Sequence, residues 1–395
     1  MYKIKTMNQI SDVIRQHLPA DGYLISPEEP IPDGVLVRSA DLHDWDYGEQ
    51  LLAIARAGAG VNNIPIGKCT AQGVAVFNTP GANANAVAEL VICGLILGSR
   101  NVAGGIEWAK TLRDGPDVAE LAEKGKSRFA GPEVRGKTLG VIGLGAIGAI
   151  VANAAAQGLG MNVIGYDPYI SVENAWSLSR AIRHAASVEE IYKNADYITV
   201  HVPLTNATQG MLNADAIAKM KDGVRLLNFS RAGLANAADL AAALENGKVA
   251  GYVTDFPTEE VLVMKNAVVI PHLGASTPES EENCAAMAAC ELRDYLMFGQ
   301  IRNSVNLPEI LLGQPEGTRV LMIHGNEPGM VSAISAAIGA RKININNMIN
   351  KSRGDVAVTV LEISNVPDRR LTNELNALPG VKRVRIFRRL AAFCS

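Results

Sequence analysis

The chain has 395 residues, of which 48% are hydrophobic, and its formal net charge is −3. A single hydrophobic core stops growing at about 250–300 residues, so this length predicts two or three domains of a soluble globular protein. The small net charge provides no basic excess for nucleic acid, and no apolar run reaches the roughly 18 residues that span a bilayer. Neither a nucleic-acid partner nor a membrane is therefore expected.

The cysteines are scattered, odd in number and without a Cys-x-x-Cys pair. They are Cys69, Cys93, Cys284, Cys290 and Cys394. This pattern favours reduced thiols in a reducing compartment and no metal site. The N-terminus also lacks a basic and apolar signal peptide. We expect a cytoplasmic protein.

Residues 1–98 alternate strand and helix patterns and predict a first domain of the α/β class. Gly34–Arg38 and Leu52–Gly60 each predict a buried strand that ends in a turn beside an arginine, Arg38 or Arg56. Open α/β sheets bind ligands beyond the carboxyl ends of their strands, so these arginines are predicted to face a cleft. The next elements are a strand, Val74–Phe77, and a helix, Ala84–Arg100, with Ala86, Leu90 and Leu97 at helical spacing.

A glycine-rich turn, Gly143-x-Gly145-x-x-Gly148, follows the apolar run Thr138–Ile142 and precedes a stretch of small, helix-forming residues. Gly143 permits the sharp turn, Gly145 lets the backbone approach a pyrophosphate, and Gly148 lets the helix pack against the strand. The unpaired N–H groups and the positive dipole end of the helix suit a diphosphate. The pattern predicts a dinucleotide site.

The acid that follows the next strand predicts which dinucleotide binds. Asn162–Tyr166 is a strand pattern that leads to Asp167, 19 positions after Gly148, where a carboxylate holds a ribose hydroxyl. This carboxylate would repel a 2′-phosphate, and Pro168 and Tyr169 bring no arginine to neutralise one. The sequence therefore predicts NAD rather than NADP.

Repeated strands with helices between them predict a parallel doubly wound sheet in an NAD-binding domain over residues 99–279. Residues 101–137 within it predict a helix followed by a loop. A long helix over residues 278–298 would return the chain to the first domain, which residues 280–312 complete. The later strand patterns are Ala195–Pro203, Gly223–Phe229, Val249–Thr254 and Ala267–Ile270.

Asn303–Thr318 contains prolines and glycines and predicts a linker. The order βαββαβ after it predicts a split ferredoxin-like domain over residues 317–395. Its elements are predicted at Arg319–Ile323, Pro328–Ile338, Ile343–Asn350, Val356–Ile363, Leu371–Leu378 and Val381–Phe387. The basic residues near its end are predicted to lie on a solvated strand face, and they are Lys382, Arg383, Arg385, Arg388 and Arg389.

Three kinds of polar residue stand at or beyond strand ends of the predicted nucleotide sheet: Arg231, the pair Glu259 and Glu260, and His272. Hydride transfer to or from a hydroxy acid needs a cation for the carboxylate, a general acid/base at the hydroxyl, and a carboxylate that orients this base. Arginine suits the first task and histidine, which titrates near neutrality, the second.

In this order the motifs resemble the D-isomer-specific 2-hydroxyacid dehydrogenases. The motifs that carry the resemblance are Gly143–Gly148, His201–Thr205, Asn228–Gly233, Asp255–Glu260 and Pro271–Thr277. Val37–Ser39, Arg56–Val61 and Asn78–Asn83 further resemble the phosphoglycerate dehydrogenase branch. That branch oxidises 3-phospho-D-glycerate to 3-phosphohydroxypyruvate with NAD, which is the first step of serine biosynthesis. The resemblance implies two doubly wound, Rossmann-like domains and a C-terminal regulatory domain.

By this resemblance, Arg231 binds the substrate carboxylate, His272 is the acid/base and a glutamate pairs with His272. Counting from Asp255 selects Glu260 as that glutamate, whereas matching the local motif selects Glu259. The residues implied for NAD are Gly143, Gly145, Ala146, Ile147, Gly148, Asp167, His201, Val202, Pro203, Thr205, Phe229, Ser230, Asp255 and Gly274. Those implied for the phosphorylated hydroxy acid are Arg38, Ser39, Arg56, Gly58, Ala59 and Gly60, with the two arginines on the phosphate.

The C-terminal domain resembles ACT domains, which commonly bind amino acids between paired copies. His324, Asn326 and Asn344 match the positions that hold the effector in serine-inhibited relatives. The alternative is a module that serves only assembly. Pairing through both the nucleotide domain and the ACT unit is implied, so a homodimer or homotetramer is expected.

Two other functions stay open at this point. One is a dehydrogenase for another D-2-hydroxy acid, such as glycerate or lactate. The other is a non-catalytic, NAD-sensing binding module on the same fold.

Overall fold

The computed structural model describes residues 1–113, 115, 117–315 and 317–388. The chain divides into two compact units, Met1–Ala82 with Glu281–Ser395, and Asn83–Ser280. Arg389 and Cys394 lie outside the described residues, as does the end of the domain predicted over residues 317–395.

The first unit begins with a parallel five-stranded sheet in the order β2-β1-β3-β4-β5. Two of its strands, β1 and β2, were not predicted individually. The strand β1 is the segment Tyr2–Met7, and β2 has only four residues. The elements are β1 (Tyr2–Met7), α1 (Ile14–His17), β2 (Tyr23–Ser26), β3 (Gly34–Val37), β4 (Ala53–Arg56), α2 (Ile66–Ala71) and β5 (Ala75–Phe77).

The second unit contains a parallel seven-stranded sheet in the order β12-β11-β10-β9-β6-β7-β8. Strand order reverses between β6 and β9, which is where doubly wound sheets bind their ligands. The strands are β6 (Thr138–Ile142), β7 (Asn162–Tyr166), β8 (Arg183–His184), β9 (Tyr197–Val200), β10 (Val224–Asn228), β11 (Val249–Thr254) and β12 (Ala267–Val269). The helices are α3 (Ala84–Ser99), α4 (Val102–Thr111), α5 (Val118–Gly125), α6 (Ala146–Gln157), α7 (Val172–Ser177), α8 (Val188–Asn194), α9 (Ala214–Ala218), α10 (Ala237–Glu245) and α11 (Glu259–Leu262).

Helix α3 differs from its prediction in two respects. It lies in the second unit, not the first, because its Val87, Val91 and Leu95 share a core with Leu139 and Val141 of β6. Its buried face therefore differs from the predicted Ala86, Leu90 and Leu97, which are only partly buried. The segment after it forms two helices, α4 and α5, where one helix and a loop were expected.

Among the described residues, no single helix is both long and apolar enough to cross a membrane. Helices α3 and α4, which meet at a 68° bend, satisfy the length and composition requirement only when taken together.

Helix α12 (Pro278–Phe298), predicted at these positions, leads into the C-terminal part of the first unit. That part is an antiparallel sheet in the order β14-β15-β13-β16, with the predicted βαββαβ sequence of elements. The elements are β13 (Thr318–Gly325), α13 (Met330–Gly339), β14 (Ile345–Arg353), β15 (Val356–Ile363), α14 (Arg369–Ala377) and β16 (Val381–Arg388). The predicted α/β class, with two parallel sheets and a C-terminal sheet of this order, is confirmed.

The segment predicted as a linker is packed against the first sheet over much of its length. Buried Asn306 accepts a hydrogen bond from the Val76 amide and donates one to the Val74 carbonyl oxygen. Ser304 also bridges to Phe77 at the edge of the sheet. An amide side chain can replace a neighbouring strand in this way because it offers both a donor and an acceptor.

Of the arginines of β16, Arg385 is buried and Arg383 is half-buried, so the prediction of a solvated face was wrong for these two, whereas Arg388 is exposed as predicted. Arg385 is 8% exposed, stacks on Tyr295 and donates to the carbonyl oxygens of Tyr295 and Leu296 at 3.0 and 2.8 Å. Arg319 of β13, 2% exposed, donates to the carbonyl oxygen of Phe298 at 2.6 Å. These carbonyls belong to the last turn of α12, where a helix lacks some of its backbone donors. The Tyr295 oxygen also accepts the Gly299 amide, and the Leu296 oxygen accepts the Tyr2 hydroxyl. The cations also face the negative end of the helix dipole.

We predict that Arg385→Ala lowers the free energy of unfolding by about 2–4 kcal/mol, because it removes a packed guanidinium and its charge-assisted hydrogen bonds to buried carbonyl oxygens of α12. Chemical denaturation of the full chain measures this change. Arg388→Ala is the matched control, since Arg388 lies on the same strand and is exposed. Equal destabilisation by the two variants would contradict the capping role.

Candidate functional site

The predicted glycine turn joins β6 to α6 and has the geometry that each glycine requires. Gly143 has φ of 92°, in the left-handed region that favours glycine. A Cβ on Gly148 would clash with the carbonyl oxygen of Gly143, so the helix can approach the strand only with glycine there. A Cβ on Gly145 would meet nothing within 4 Å, so space is open at the middle of the turn.

The start of α6 fits a diphosphate. Its N-cap residue is Gly145, and no side chain caps the helix. Helix N-termini offer several backbone N–H groups without helical partners, together with a positive dipole end. The site therefore has donors for an anionic group beside an open space, as NAD requires.

Asp167 lies directly after β7, and its carboxylate is fixed by the turn. Oδ2 accepts a hydrogen bond from the amide of Leu144 and Oδ1 one from the amide of Tyr169, both at 2.8 Å. A carboxylate has about four acceptor positions, so it keeps capacity for ribose hydroxyls. This placement agrees with the predicted ribose contact.

His201 follows β9 and is held against the glycine turn. Its amide donates to the carbonyl oxygen of Ile142 at 2.7 Å, and a Cβ on Gly143 would clash with the His201 backbone. Nε2 lies 2.9 Å from the hydroxyl oxygen of buried Thr199, while the buried Nδ1 has no partner among the described residues. Burial lowers the pKa of His201 from 6.5 to about 4, so the ring is neutral near pH 7.

A buried asparagine that the sequence did not single out holds the turn carrying Arg231. Asn228, fully buried at the end of β10, accepts hydrogen bonds from the amides of Ser230 and Arg231 and donates to the Arg231 carbonyl oxygen. It also donates to the hydroxyl of Tyr252, and Thr254 donates to its backbone oxygen. The turn after β10 is thereby tied to β11.

Arg231 itself is exposed, and its Nη1 donates to the Ser230 carbonyl oxygen at 2.6 Å. The Ser230 hydroxyl donates to the carbonyl oxygen of Val200 at the end of β9. Phe229, by contrast, is buried, and its ring lies against Gly94 of α3. The Phe229 side chain is therefore part of the hydrophobic core, and only the backbone of this residue is left to contact NAD.

Asp255 follows β11 directly and is a buried acid. It is 1% exposed; Oδ2 accepts the amide of Gly274 at 3.2 Å, and Oδ1 has no partner among the described residues. Burial raises the pKa of this carboxyl group, and the nearby charges of His272 and Arg231 oppose that shift. Asp255 thus joins the end of β11 to the loop after β12 and is electrostatically coupled to both predicted catalytic residues.

His272 lies on that loop and is exposed, with its ring centroid 5.0 Å from that of Phe256. Neither Glu259 nor Glu260 makes a hydrogen bond or an ion pair with it among the described contacts. Both glutamates are exposed in the first turn of α11, and contacts with its own backbone and Thr258 lower the pKa of Glu260. Of these three carboxyl groups, Asp255 is the one whose pKa the charge of His272 lowers, against the larger effect of burial.

The remaining residues predicted for NAD lie near the same strand ends. Ala146 and Ile147 are in the first turn of α6, and the Thr205 amide donates a hydrogen bond to the Thr208 hydroxyl at 2.9 Å. Val202 and Pro203 continue the chain after His201. The side chains after β7, β9, β10, β11 and β12 all reach one edge of the sheet, because carboxyl ends of parallel strands lie on the same side.

In the first unit, Arg38 and Arg56 lie at the ends of the adjacent strands β3 and β4. Nε of Arg56 donates to the Arg38 carbonyl oxygen at 3.0 Å. A Cβ on Gly58 would clash with the Arg56 guanidinium, so this glycine makes room for the side chain. The carbonyl oxygen of Ala59 accepts a hydrogen bond from the side chain of Asn78. Ser39 is held through its amide by Asn8, and Gly60 continues the turn.

The three residues predicted for an effector do not meet within one chain. His324 lies near the end of β13 that pairs with Ala357, whereas Asn344 precedes Ile345, which pairs with Ile363. At roughly 3.4 Å per residue, the two positions are about 20 Å apart along the sheet. His324 is also buried, with Nδ1 2.7 Å from the Gly325 oxygen and Nε2 2.8 Å from the Thr359 hydroxyl. Asn326 is exposed and donates to the Gly354 carbonyl oxygen.

Comparison of the sequence with known proteins agrees with the arrangement of the second unit. Residues 103–274 match the family described as D-isomer specific 2-hydroxyacid dehydrogenase, NAD binding domain. The D-3-phosphoglycerate dehydrogenase of Haemophilus influenzae is 31% identical over 352 residues, which cover 85% of this chain and 81% of the relative. That of Synechocystis is 36% identical, but the match covers 71% of this chain and 50% of the relative. The chain thus spans about half the length of several curated relatives it matches.

Solved structures give a similar result. The NAD⁺-bound 3-phosphoglycerate dehydrogenase of Entamoeba histolytica has a TM-score of 0.59 and 29% identity, covering 77% of this chain and 98% of that one. The apo D-mandelate dehydrogenase of Rhodotorula graminis has a TM-score of 0.64 at 20% identity, covering 79% and 99%. The second similarity supports the fold alone.

We predict that His201 makes stability depend on pH. Its pKa of about 4 lies below the 6.5 of the unfolded chain, so the unfolded state binds more protons between these values. Stability from this group is complete above pH 6.5 and is lost as the pH falls, by about 2 kcal/mol between pH 7 and 5. Denaturant unfolding at the two pH values should show a smaller loss in His201→Gln, whereas the control His184→Gln, at an exposed position, should behave as the unchanged chain does.

Proposed function

The chain belongs to the D-isomer-specific 2-hydroxyacid dehydrogenases, and from this membership we propose that it oxidises 3-phospho-D-glycerate to 3-phosphohydroxypyruvate, reversibly, with NAD. This is the first step of serine biosynthesis. The observation that carries the choice of substrate is the pair of arginines, Arg38 and Arg56, at neighbouring strand ends of the first unit. Two guanidinium groups match a phosphate dianion in charge and geometry.

The second unit contains the family's NAD-binding domain, and its residues fit the cofactor. The glycine turn and the start of α6 would hold the diphosphate, and Asp167 a ribose. NAD, when bound, supplies the hydride acceptor. Asp167 brings a negative charge to the ribose, and the residues that follow it, Pro168 and Tyr169, contain no arginine for a 2′-phosphate.

His272 is the proposed general base in the oxidative direction, where it accepts the hydroxyl proton of the substrate. Arg231 is proposed to bind the substrate carboxylate, for which its exposed guanidinium is suited. A carboxylate is proposed to orient His272 and stabilise its charged form. Glu259 and Glu260 remain candidates for that task, and the electrostatic coupling adds Asp255 to them.

The alternative substrates are other D-2-hydroxy acids, such as glycerate or lactate, and they need no cation beyond the one for their carboxylate. The presence of a second and third arginine at strand ends favours the phosphorylated substrate. A non-catalytic NAD sensor would not need Arg231 and His272 on the same sheet edge, so these two residues favour an enzyme.

We also propose that the C-terminal sheet is an ACT domain that binds an amino acid, with serine as the first candidate, in a homodimer or homotetramer. The separation of His324 and Asn344 within one chain supports an effector site that uses two copies. The rival role is assembly alone. Titrating serine into an NADH absorbance assay tests the proposal. Free thiols in the described residues support a reducing compartment, the cytoplasm.

We predict that efficient turnover requires the phosphate group of the substrate. NADH formation should be observed with 3-phospho-D-glycerate, and Arg38→Ala or Arg56→Ala should raise its KM by at least about tenfold, because a charge-assisted contact is lost. The KM for D-glycerate should change little in the same variants. Equal effects on both substrates would exclude a phosphate contact, and turnover of glycerate or lactate alone would refute the proposed function.

We predict that His272→Asn lowers kcat by at least about 100-fold while the Kd for NAD is unchanged, since only the proton transfer is removed. Absorbance assays and fluorescence titration with NADH measure the two quantities. Near-normal turnover would refute the role of His272. Comparing Glu259→Gln, Glu260→Gln and Asp255→Asn identifies its partner, because losing the orienting carboxylate should alter the pH profile of kcat.

A further inference from the structure

Arg38, one of the two arginines proposed to bind phosphate, is paired with a carboxylate of its own unit. Its Nη2 lies 2.7 Å from Oε1 of Glu281, in the first turns of α12. The side chains are 37% and 44% exposed, so the pair is accessible to solvent and to a ligand. The neighbouring Arg56 donates from its Nε to the Arg38 carbonyl oxygen.

This arrangement changes the charge that a phosphate would meet. Two guanidinium groups alone would balance a dianion, whereas Glu281 cancels one of them. Glu281 also carries the same sign as the phosphate, and like charges at close range repel. The other acids near the start of α12, Glu279 and Glu282, form no ion pair among the described contacts. Of these three acids, Glu281 is the one that pairs with Arg38.

We propose that Glu281 is an internal competitor for Arg38, which the substrate phosphate displaces, and that it sets the affinity for phosphorylated ligands. The inference rests on the proposed function, since it concerns the same phosphate contact. Exposed ion pairs contribute little to stability, so displacement by a better anion is inexpensive. Once displaced, the Glu281 carboxylate stays close to the phosphate and weakens its binding. The same residue would then favour release of the phosphorylated product.

Glu281→Gln tests the proposal, because it removes the charge and keeps the size of the side chain. The KM for 3-phosphohydroxypyruvate should fall about three- to tenfold, which is the range expected from an exposed pair and an added repulsion. The KM for hydroxypyruvate, which has no phosphate, should stay within about twofold. Glu282→Gln is the matched control, since it removes an exposed charge one residue further along and should change neither KM.

A KM for the phosphorylated substrate that rises in Glu281→Gln would overturn the proposal, because Glu281 would then position Arg38 for the phosphate. A KM within twofold of the unchanged chain would overturn it as well. Thermal melting of both variants shows whether the fold is retained.

A second measurement separates this inference from the proposed function. Inorganic phosphate, titrated against the full chain by calorimetry, should bind about three- to tenfold more tightly to Glu281→Gln than to the unchanged chain. If the unchanged chain does not turn over a phosphorylated acid, the proposed function fails, and the phosphate titration still decides the role of Glu281. Equal phosphate affinity in the two proteins would refute that role.

Discussion

The packing of the first unit depends on how the carbonyl oxygens at the carboxyl end of α12 are hydrogen-bonded. The last turn of this 21-residue helix has carbonyl oxygens that lie inside the unit and need donors beyond the helix. Arg385 and Arg319, both buried, donate to them from two strands of the C-terminal sheet. Each buried cation is satisfied by carbonyl oxygens, and Arg319 also by Glu362. Removing either arginine would take a charge-assisted hydrogen bond from buried carbonyl oxygens, which is costly inside a protein.

The C-terminal sheet is therefore an integral part of the first unit. Its Leu321, Ile323 and Val358 belong to one core with Leu292 and Tyr295 of α12. The opposite face of the sheet packs on its own helices through Val320, Met322 and Leu361. With both faces covered, the sheet cannot move as a tethered module without opening a core. Since α12 also carries Glu281 near its start, a single helix spans from the C-terminal sheet to the ion pair with Arg38.

Local patterns in the sequence were sufficient for most elements and for the dinucleotide motif. The glycine turn, Asp167, the strands of the second sheet and α12 follow from short-range rules of periodicity and turn chemistry. Arg231 and His272 were singled out by their positions at predicted strand ends, and the resemblance to a known family added their roles, which stay predictions. The predictions of the strands and of the glycine turn succeed because each depends on residues that are neighbours along the chain.

The features that the sequence did not predict depend on residues far apart in the chain. Asn228 donates a hydrogen bond to Tyr252, and Asp255 accepts one from Gly274. No local pattern in the sequence predicts that these two polar side chains are buried. Arg385 looks like a solvated strand residue until α12, about 90 positions earlier, is placed beneath it. The family motif selects Glu259 or Glu260 as the partner of His272; both lie in the first turn of α11, and this assignment stays a prediction. Long-range burial decides the role of such residues, and a sequence pattern does not report it.

The position of His324 and Asn344 at opposite ends of the C-terminal sheet has a thermodynamic consequence. A molecule the size of an amino acid cannot touch both within one chain, so a ligand that needs both must join two chains. Its occupancy would then follow the law of mass action for dimerisation as well as for the ligand, and its half-saturation point would shift as the protein is diluted. Such a ligand would act as a cross-bridge, and dilution alone would release it.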